Sequence, residues 1–356
     1  MITKKYNVID LFCGCGGLSK GFEMAGYNIL LGVDYNEPAL KTFAYNHKGS
    51  KVLYGDLAST TTFKSIDQLV NGKQIDVIIG GPPCQGFSLT GPRNFDDERN
   101  KLYLAMIESV KRYSPKAFLI ENVPGMATLY NGEVKEEIVR RFTELGYKVS
   151  NKILCAADYG VPQIRKRLVF VGLKDCHKQF VFPSPSHNPD TYISCEQAIG
   201  DLPSLENELG SDESEYTCNP KTSFQKEMRG KCKILYNHKS IDHKTFVKET
   251  IALVPDGGNY KDLPEGVGKN RIFHMAWTRL SSSKPARTVD TGHRNLFHYK
   301  WNRCPTVRES ARIQSFPDDF KFLGTKGQQD KQVGNAVPVL MAKALGECIL
   351  AYLDEK

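Results

Sequence analysis

The sequence predicts an α/β protein with a doubly wound, mostly parallel sheet and a smaller irregular domain inserted before the C-terminal helix. Short apolar, β-branched runs alternate with helical segments from residue 8 to about residue 172, and this alternation is typical of βαβ units. From about residue 176 to 275 the alternation is lost, and Ser, Pro, Asn, Lys and His are frequent. We therefore expect a first domain formed by residues 1–175 and 326–356, and a second formed by residues 176–325.

The predicted elements follow from local patterns. Buried strands are expected where apolar and β-branched residues run together, at residues 8–12, 29–34, 51–56, 76–79, 117–121 and 168–172. Helices are expected at residues 18–25, 37–47, 101–113, 134–145, 307–314 and 337–353. Gly26 and Gly146 end two of these helices, and Pro38 stands in the first turn of another.

The composition bounds the class of protein. Of 356 residues, 40% are hydrophobic and 25% are charged, which is ordinary for a globular protein. We find no apolar run of membrane-spanning length and no signal peptide, so we expect no membrane association. Ten cysteines in a chain this long do not indicate a disulfide scaffold, and a cytoplasmic protein with reduced thiols is expected. The net charge of +8 is compatible with a polyanionic partner.

A cysteine stands where a predicted strand stops abruptly. The stretch Gly80-Gly-Pro-Pro-Cys84-Gln-Gly-Phe-Ser88 follows the strand at 76–79, and its glycines and prolines fix a turn. In open α/β sheets ligands bind at the carboxyl ends of strands, so Cys84 is a candidate nucleophile. The alternative is a buried structural cysteine. Residues 85–100 are polar and rich in turn formers, as expected of a lid.

A second candidate site lies at the start of the chain. Asp10-Leu-Phe-Cys-Gly14-Cys-Gly16-Gly17 joins a strand to a helix, and its glycines allow the backbone to approach a nucleotide-like ligand. Ser19 breaks the G-x-G-x-x-G fingerprint, so an ordinary tight turn is equally compatible. Asp34 ends the next strand and suits a ribose diol, and Asp56 ends the third strand, where it suits an adenine amino group. Together they predict a ligand that contains adenosine.

Motifs along the chain identify a family. In order they are Asp10–Gly17, Gly81-Pro-Pro-Cys84-Gln85, Asp97-x-Arg99-x-x-Leu102, Glu121-Asn-Val123, Gln163-x-Arg165-x-Arg167, Arg279–Thr288 and Gln332–Pro338. The chain closely resembles the DNA (cytosine-5) methyltransferases, and the resemblance covers nearly all of it outside residues 176–275. It implies the S-adenosylmethionine-dependent methyltransferase fold, a prokaryotic modification enzyme, and a target-recognition domain at residues 176–325.

The resemblance also implies a mechanism. Cys84 would attack C6 of a cytosine flipped out of duplex DNA, and Glu121 would bond N3. Glu121 can donate to N3 only when it is protonated, so burial is expected to raise its pKa. Arg165 and Arg167 would face O2. The methyl group would pass to C5, and a water-derived base would remove the C5 proton.

The same resemblance implies the ligands. The cofactor is S-adenosyl-L-methionine, with S-adenosyl-L-homocysteine as product. Its expected contacts are Asp10, Phe12, Gly14, Gly16, Gly17, Leu18, Asp34, Tyr35, Asp56, Leu57, Pro83, Leu102, Asn335 and Val337. The expected DNA contacts are Ser88, Arg93 and Arg279. A monomer that acts on double-stranded DNA is expected, with a cognate restriction endonuclease that cuts the same site.

One alternative function stays open, and two others are disfavoured. A transfer-RNA cytosine-5 methyltransferase of the same fold would use the same residues. A DNA-binding or cofactor-sensing protein without turnover is disfavoured by the intact set of Cys84, Glu121 and Arg167. The other RNA cytosine-5 methyltransferase family is disfavoured because it carries its nucleophile where this chain has no cysteine, at 121–123.

No metal is expected, because the spacing in the set Cys218, Cys232, His238 and His243 is too wide for a zinc finger.

Overall fold

The computed structural model describes residues 6–83, 101–176, 178–268 and 276–355. The chain divides into two compact units. The first consists of Met1–Cys155, Lys166–Ser184 and Met341–Lys356, and the second of Ala156–Arg165 and Pro185–Leu340. Residues 156–165 and 326–340, which the sequence analysis assigned to the first domain, therefore group with the second unit.

A seven-stranded sheet forms the centre of the first unit. Its strands are β1 (Asn7–Leu11), β2 (Asn28–Asp34), β3 (Lys51–Tyr54), β4 (Val77–Gly80), β5 (Ala117–Asn122), β6 (Tyr147–Cys155) and β7 (Lys166–Lys174). Their order is β3-β2-β1-β4-β5-β7-β6; β1 to β5 pair in parallel, and β7 runs antiparallel to both of its neighbours, β5 and β6. The expected mostly parallel, doubly wound α/β fold is confirmed. The strand order reverses between β1 and β4, and such a switch point opens a crevice for ligands.

Helices flank these strands. They are α1 (Gly17–Met24), α2 (Glu37–Asn46), α3 (Thr60–Val70), α4 (Lys101–Tyr113) and α5 (Glu133–Glu144). Asn36 caps α2, because its side chain accepts a hydrogen bond from the amide of Ala39, and Ser59 caps α3 in the same way through Thr61. Apolar side chains from these helices and from the strands form a continuous core around the buried β4. Among the helices and strands that the structure describes in the first unit, α3 and β6 were not predicted from the sequence.

The second unit consists of short elements, as expected for an irregular domain. They are α6 (Cys195–Ile199), β8 (Gly210–Glu215), α7 (Ser223–Arg229), β9 (Ile234–Lys239), α8 (Thr245–Ala252), β10 (Thr278–Arg279), β11 (Leu296–Phe297), α9 (Val307–Ile313) and α10 (Lys326–Asn335). Strands β8 and β9 form an antiparallel pair, and β10 and β11 a parallel one. The predicted helix at 307–314 is confirmed as α9.

Buried ion pairs hold the second unit together where apolar runs are scarce. Arg312 donates from Nε and Nη2 to the carboxylate of Asp318 at 2.9 and 2.7 Å, and it also pairs with Asp201. Arg303 forms a bidentate pair with Glu309 at 2.7 Å through each nitrogen. Burial alone would raise the pKa of Glu309, but Arg303 lowers it below its ordinary value. A buried charge whose partner is removed is strongly destabilising, so each side chain of these ion pairs depends on its own partner.

The last helix, α11 (Val339–Asp354), returns to the first unit from Met341 onward. The stretch Lys326–Asp354, which consists of α10, a non-helical break at residues 336–338 and α11, is long and apolar enough to cross a membrane by length and composition, which the sequence did not predict. However, 61% of its most apolar window is buried inside the protein, a burial typical of a core helix. Within the first unit, the hydroxyl of Tyr27 donates to the carbonyl of Gly346 at 3.0 Å, which attaches α11 to the segment before β2.

Candidate active site

The glycine-rich loop between β1 and α1 adopts left-handed backbone conformations. Phe12, Gly14 and Gly16 have φ values of 59°, 54° and 97°. Gly16 is the N-cap of α1, and its amide donates to the carbonyl of Cys13 at 2.9 Å. Glycine adopts such angles without the steric cost that a Cβ would add. The loop therefore places the first turn of α1, with Gly17 and the buried Leu18, at the carboxyl end of β1.

Asp34, at the carboxyl end of β2, supports this loop. Its Oδ2 accepts a hydrogen bond from the amide of Gly14 at 2.7 Å, and its Oδ1 accepts one from Asn36 at 2.8 Å. Burial raises the pKa of Asp34, and the amide donors oppose this effect. A carboxylate oxygen has more than one lone pair, so the group can accept further bonds from two hydroxyls. This geometry suits the ribose diol that the sequence predicted for it.

Asp10 is buried rather than open to a ligand. It is 1% exposed, and its Oδ2 accepts a hydrogen bond from the hydroxyl of Ser19 at 2.6 Å. Burial raises the pKa of Asp10 to about 7, although the Ser19 hydrogen bond lowers it. Asp10 thus joins the end of β1 to α1 across the glycine-rich loop. This geometry gives it a supporting position and argues against the predicted direct contact with the cofactor.

The remaining predicted cofactor residues differ in exposure. Tyr35 is 70% exposed, and its open ring is available for stacking on a base. Phe12 is partly buried against the core of the first unit, and Leu57 is buried. Asp56 accepts a hydrogen bond from the amide of Ala58 at 2.9 Å, which fixes its carboxylate at the end of β3.

Four further residues were predicted to contact the cofactor, two in each unit. Pro83 is exposed directly after Pro82, and Leu102 is partly buried near the start of α4. Asn335 is exposed at the end of α10, and Val337 is buried after it. These last two residues belong to the second unit, so their cofactor contacts stay predictions.

The end of β5 brings two of the predicted catalytic residues together. Oε1 of Glu121 lies 2.7 Å from Nε of Arg167, and both side chains are largely shielded from solvent. A β-carbon placed on Gly81 would lie 3.4 Å from Oε2 of Glu121, so the carboxylate is next to the segment that leads to Cys84. A guanidinium at this distance stabilises the ionised carboxylate. The expectation that burial raises the pKa of Glu121 stays a prediction.

Asn122, which the sequence analysis did not single out, positions the same segment. Its Nδ2 donates to the carbonyl of Pro82 at 2.9 Å, and its Oδ1 accepts from the amide of Val123 at 2.8 Å. The side chain is buried, so both polar ends need these partners. Asn122 therefore fixes the last described peptides before Cys84. Its place directly after Glu121 in the motif was the available signal.

The structure does not test the positions of several other predicted residues. Cys84, Ser88 and Arg93 lie outside the described residues. Arg165 is 2% exposed and belongs to the second unit, whereas Arg167 belongs to the first. The structure thus pairs Glu121 with Arg167, and the predicted role of Arg165 at O2 stays a prediction.

The geometry of Arg279 argues against its predicted contact with DNA. The side chain is 6% exposed. Its nitrogens donate to acceptors within the second unit, which are the carbonyls of Val254, Ile251, His298 and Lys300 and the side chain of Asn302. These bonds engage all five N–H groups of the guanidinium. Arg279 therefore joins α8 to the segment after β11.

Two members of the set Cys218, Cys232, His238 and His243 form hydrogen bonds with other residues of the second unit. Nδ1 and Nε2 of His238 lie 3.0 Å from the hydroxyl of Thr306 and 2.9 Å from the carbonyl of Pro203. The thiol of Cys218 donates to the carbonyl of Asp201 at 3.3 Å. Among the described residues, no group of three or more His, Cys, Asp or Glu side chains could hold a metal ion.

Comparison with known proteins gives a consistent result. The C-5 cytosine-specific DNA methylase family matches residues 6–351. The chain is similar to the type II methyltransferase M1.HphI of Haemophilus parahaemolyticus, with 41% identity over 345 residues that cover 96% of this chain and 86% of that protein. It is 38% identical to the type II methyltransferase M.DdeI of Desulfomicrobium norvegicum over 373 residues, which cover 98% and 89% of the two chains.

A solved structure shares the fold. It is described as a DNA modification methyltransferase encoded within an E. coli prophage, and it aligns with a TM-score of 0.81 at 27% identity over 98% of this chain and 100% of that one. The sequence match and the fold agree with the resemblance drawn from the motifs. This chain belongs to the C-5 cytosine-specific DNA methylase family.

Proposed function

We propose that this protein transfers a methyl group from S-adenosyl-L-methionine to C5 of a cytosine in double-stranded DNA, as the modification enzyme of a restriction-modification system. The observation that carries the proposal is the Glu121–Arg167 pair, which lies next to Gly81 on the segment that leads to Cys84. An acid and a guanidinium beside a candidate thiolate are the groups that a cytosine ring needs for attack at C6.

The residues of the first unit fit the cofactor. The glycine-rich loop offers the first turn of α1, Asp34 has acceptor capacity for a ribose diol, and Tyr35 presents an open ring. Glycines at the turn and an acid at the end of the next strand are the features by which such folds hold an adenosine group. When bound, the cofactor supplies an electrophilic methyl group on a sulfonium.

The protein residues would then act on the base. The cytosine must leave the duplex stack, because attack at C6 comes on the face of the ring. The thiolate of Cys84 forms a bond to C6, and Glu121 donates a hydrogen bond to N3 while Arg167 faces O2. Electron density moves to C5, which takes the methyl group. Loss of the C5 proton to water and of the Cys84 thiolate from C6 restores the aromatic ring.

Bisulfite sequencing of plasmid DNA from cells that express the protein tests the proposal. We expect protected cytosines at one short sequence, and none in cells that express Cys84→Ala. In vitro, a duplex that contains 5-fluorocytosine should be trapped as a covalent adduct of the wild-type protein, because fluorine at C5 cannot leave as a proton does. Unmodified plasmid together with no adduct would contradict the proposal.

The substrate and partner require separate experiments. Tritiated methyl transfer to duplex DNA, and not to transfer RNA, is the expected result, and the reverse would support the RNA-modifying alternative. The relatives M1.HphI and M.DdeI are type II methyltransferases, which supports a type II system. A partner endonuclease would cut unmodified plasmid but leave plasmid from the expressing cells intact. We further propose that the enzyme works as a monomer in the cytoplasm, which size-exclusion chromatography with light scattering and cell fractionation would check.

A further inference from the structure

A buried histidine lies directly beneath the glycine-rich loop. His47 is the residue that ends α2, and its side chain is fully buried. A β-carbon placed on Gly16 would come within 2.1 Å of Nε2 of His47. The imidazole ring is therefore packed against the backbone of the loop, and only a residue without a side chain fits at position 16.

The ring is held on two further sides. Phe43, one turn earlier in α2, lies against it with ring centroids 4.2 Å apart. Phe43 in turn fills the space above Gly32 of β2, where an added β-carbon would be 2.6 Å from its ring. On the other side, Nδ1 of His47 lies 2.9 Å from Oε1 of Glu23 in α1. His47 therefore connects α1, α2 and the loop at one point.

We propose that His47 is a positioning residue that holds the glycine-rich loop in the conformation that binds the cofactor. The proposal rests on the proposed function, because that function assigns this loop to S-adenosyl-L-methionine. Gly16 has a φ of 97° and begins α1, so a shift at this residue moves the first turn of the helix. If the imidazole ring is absent, the loop can move into the space that the ring leaves. Cofactor binding must then return the loop to its binding conformation, and the free energy that this takes lowers the affinity.

This role predicts a selective effect. Support of the loop from below should affect cofactor binding, whereas a purely structural role would lower stability and leave cofactor affinity unchanged in the folded protein. We expect His47→Ala to raise the Kd and the KM for S-adenosyl-L-methionine by about tenfold, less than the roughly 100-fold that a 1 Å displacement can cost. The KM for duplex DNA and the kcat at saturating cofactor should stay within about twofold.

Matched variants make the test specific. His47→Gln keeps a polar side chain that can reach Glu23, and we expect it to restore most of the affinity. Tyr45→Ala changes an exposed residue of the same helix, 45% exposed, and should bind cofactor as the wild type does. Titration calorimetry with S-adenosyl-L-methionine, together with thermal unfolding, measures affinity and stability separately. A His47→Ala protein that is less stable but binds cofactor normally would overturn the proposal.

Two further measurements cover a variant that fails to fold. Glu23→Gln keeps the ring but removes the charge beside Nδ1, and it should weaken cofactor binding by a smaller factor. Gly16→Ala should abolish cofactor binding in the wild-type background. A double variant with His47→Ala should recover part of it, because the clash with the His47 ring is removed while the contact with Phe43 stays. Strictly additive effects, or normal binding by Glu23→Gln when His47→Ala does not fold, would overturn the proposal. A wild-type protein that does not bind S-adenosyl-L-methionine would instead overturn the proposed function.

Discussion

Nε of Arg167 lies 2.7 Å from Oε1 of Glu121, and the side chains are 14% and 12% exposed. The strand register explains the pair, because β7 runs antiparallel to β5 and places Leu168 opposite Asn122. Glu121 directly precedes Asn122, and Arg167 directly precedes Leu168, so the two side chains are diagonal neighbours on one face of the strand pair. The pair balances the charge of the acid before substrate enters. In the proposed function, Glu121 would take a proton to donate to N3 when cytosine binds, and the arginine would turn part of its fork toward O2.

Replacing Arg167 should therefore slow methyl transfer. Arg167→Ala removes the cationic hydrogen-bond donor proposed to face the negative charge that develops at O2 of cytosine. The loss of one such donor typically costs about 100- to 1,000-fold in kcat. Arg167→Lys keeps the charge but not the planar fork, so we expect an intermediate rate. Single-turnover transfer of tritiated methyl groups to duplex DNA measures the chemical step. Arg140→Ala changes an exposed arginine on α5 and should react at the wild-type rate; a normal rate for Arg167→Ala would refute the assigned role.

Asp34 should affect the cofactor and not the chemical step. Asp34→Ala removes the acceptor that holds the amide of Gly14 and, in the proposed function, the ribose hydroxyls. We expect the KM for S-adenosyl-L-methionine to rise by roughly 10- to 100-fold, on the scale of the loss of one charge-assisted hydrogen bond. Asp34→Asn keeps one acceptor oxygen and should lose less. Initial rates against cofactor concentration give the values.

The control for Asp34 is a nearby acid on the surface. Glu37 begins α2, and its side chain is 66% exposed and pairs across the helix surface with Lys41 at 2.9 Å. Glu37→Ala should leave the KM for the cofactor unchanged. If Asp34→Ala and Glu37→Ala have the same small effect, the carboxylate does not hold the ribose.

The sequence indicated Asp34 and Glu121 because each ends a strand at the ligand-binding edge, a position that local patterns define well. It did not indicate β6, since that strand lies at the edge of the sheet and exposes Lys148, Asn151 and Lys152, so no apolar run marks it. Whether an arginine faces solvent depends on acceptors far away in the sequence. The sequence therefore suggested a DNA contact at Arg279 that the fold does not favour.

Arg279→Ala should test that difference directly. Its guanidinium bonds four carbonyls and one amide side chain inside the second unit, so the variant leaves buried acceptors unsatisfied at roughly 1–3 kcal/mol for such a group. We expect a loss of unfolding free energy of about 2–4 kcal/mol. The salt dependence of DNA binding should not change, whereas removal of a phosphate contact would lower the slope by about one. A lower slope with unchanged stability would restore Arg279 as a DNA contact.

Asp10 makes stability depend on pH in a direction unusual for a carboxylate. Burial raises its pKa in the folded protein to about 7, whereas its ordinary value is 3.8. Between these values the folded state holds a proton that the unfolded chain has released, so the contribution of Asp10 to stability is lost as pH rises toward 7 and through it. Asp10→Asn stays neutral at every pH and can still accept the hydroxyl of Ser19.

The unfolding free energy of Asp10→Asn relative to wild type should therefore increase from pH 5 to pH 8. Urea unfolding at several pH values in this window measures the difference, and similar m values would show that the same transition is compared. Asp67→Asn is the matched control, because the pKa of Asp67 is lowered chiefly by its hydrogen bond to Arg112 and its contribution is lost only at acidic pH. That variant should show a constant difference from pH 5 to pH 8. If the Asp10→Asn difference is also constant, Asp10 is ionised throughout, and the carboxylate beneath the loop is charged when the cofactor binds.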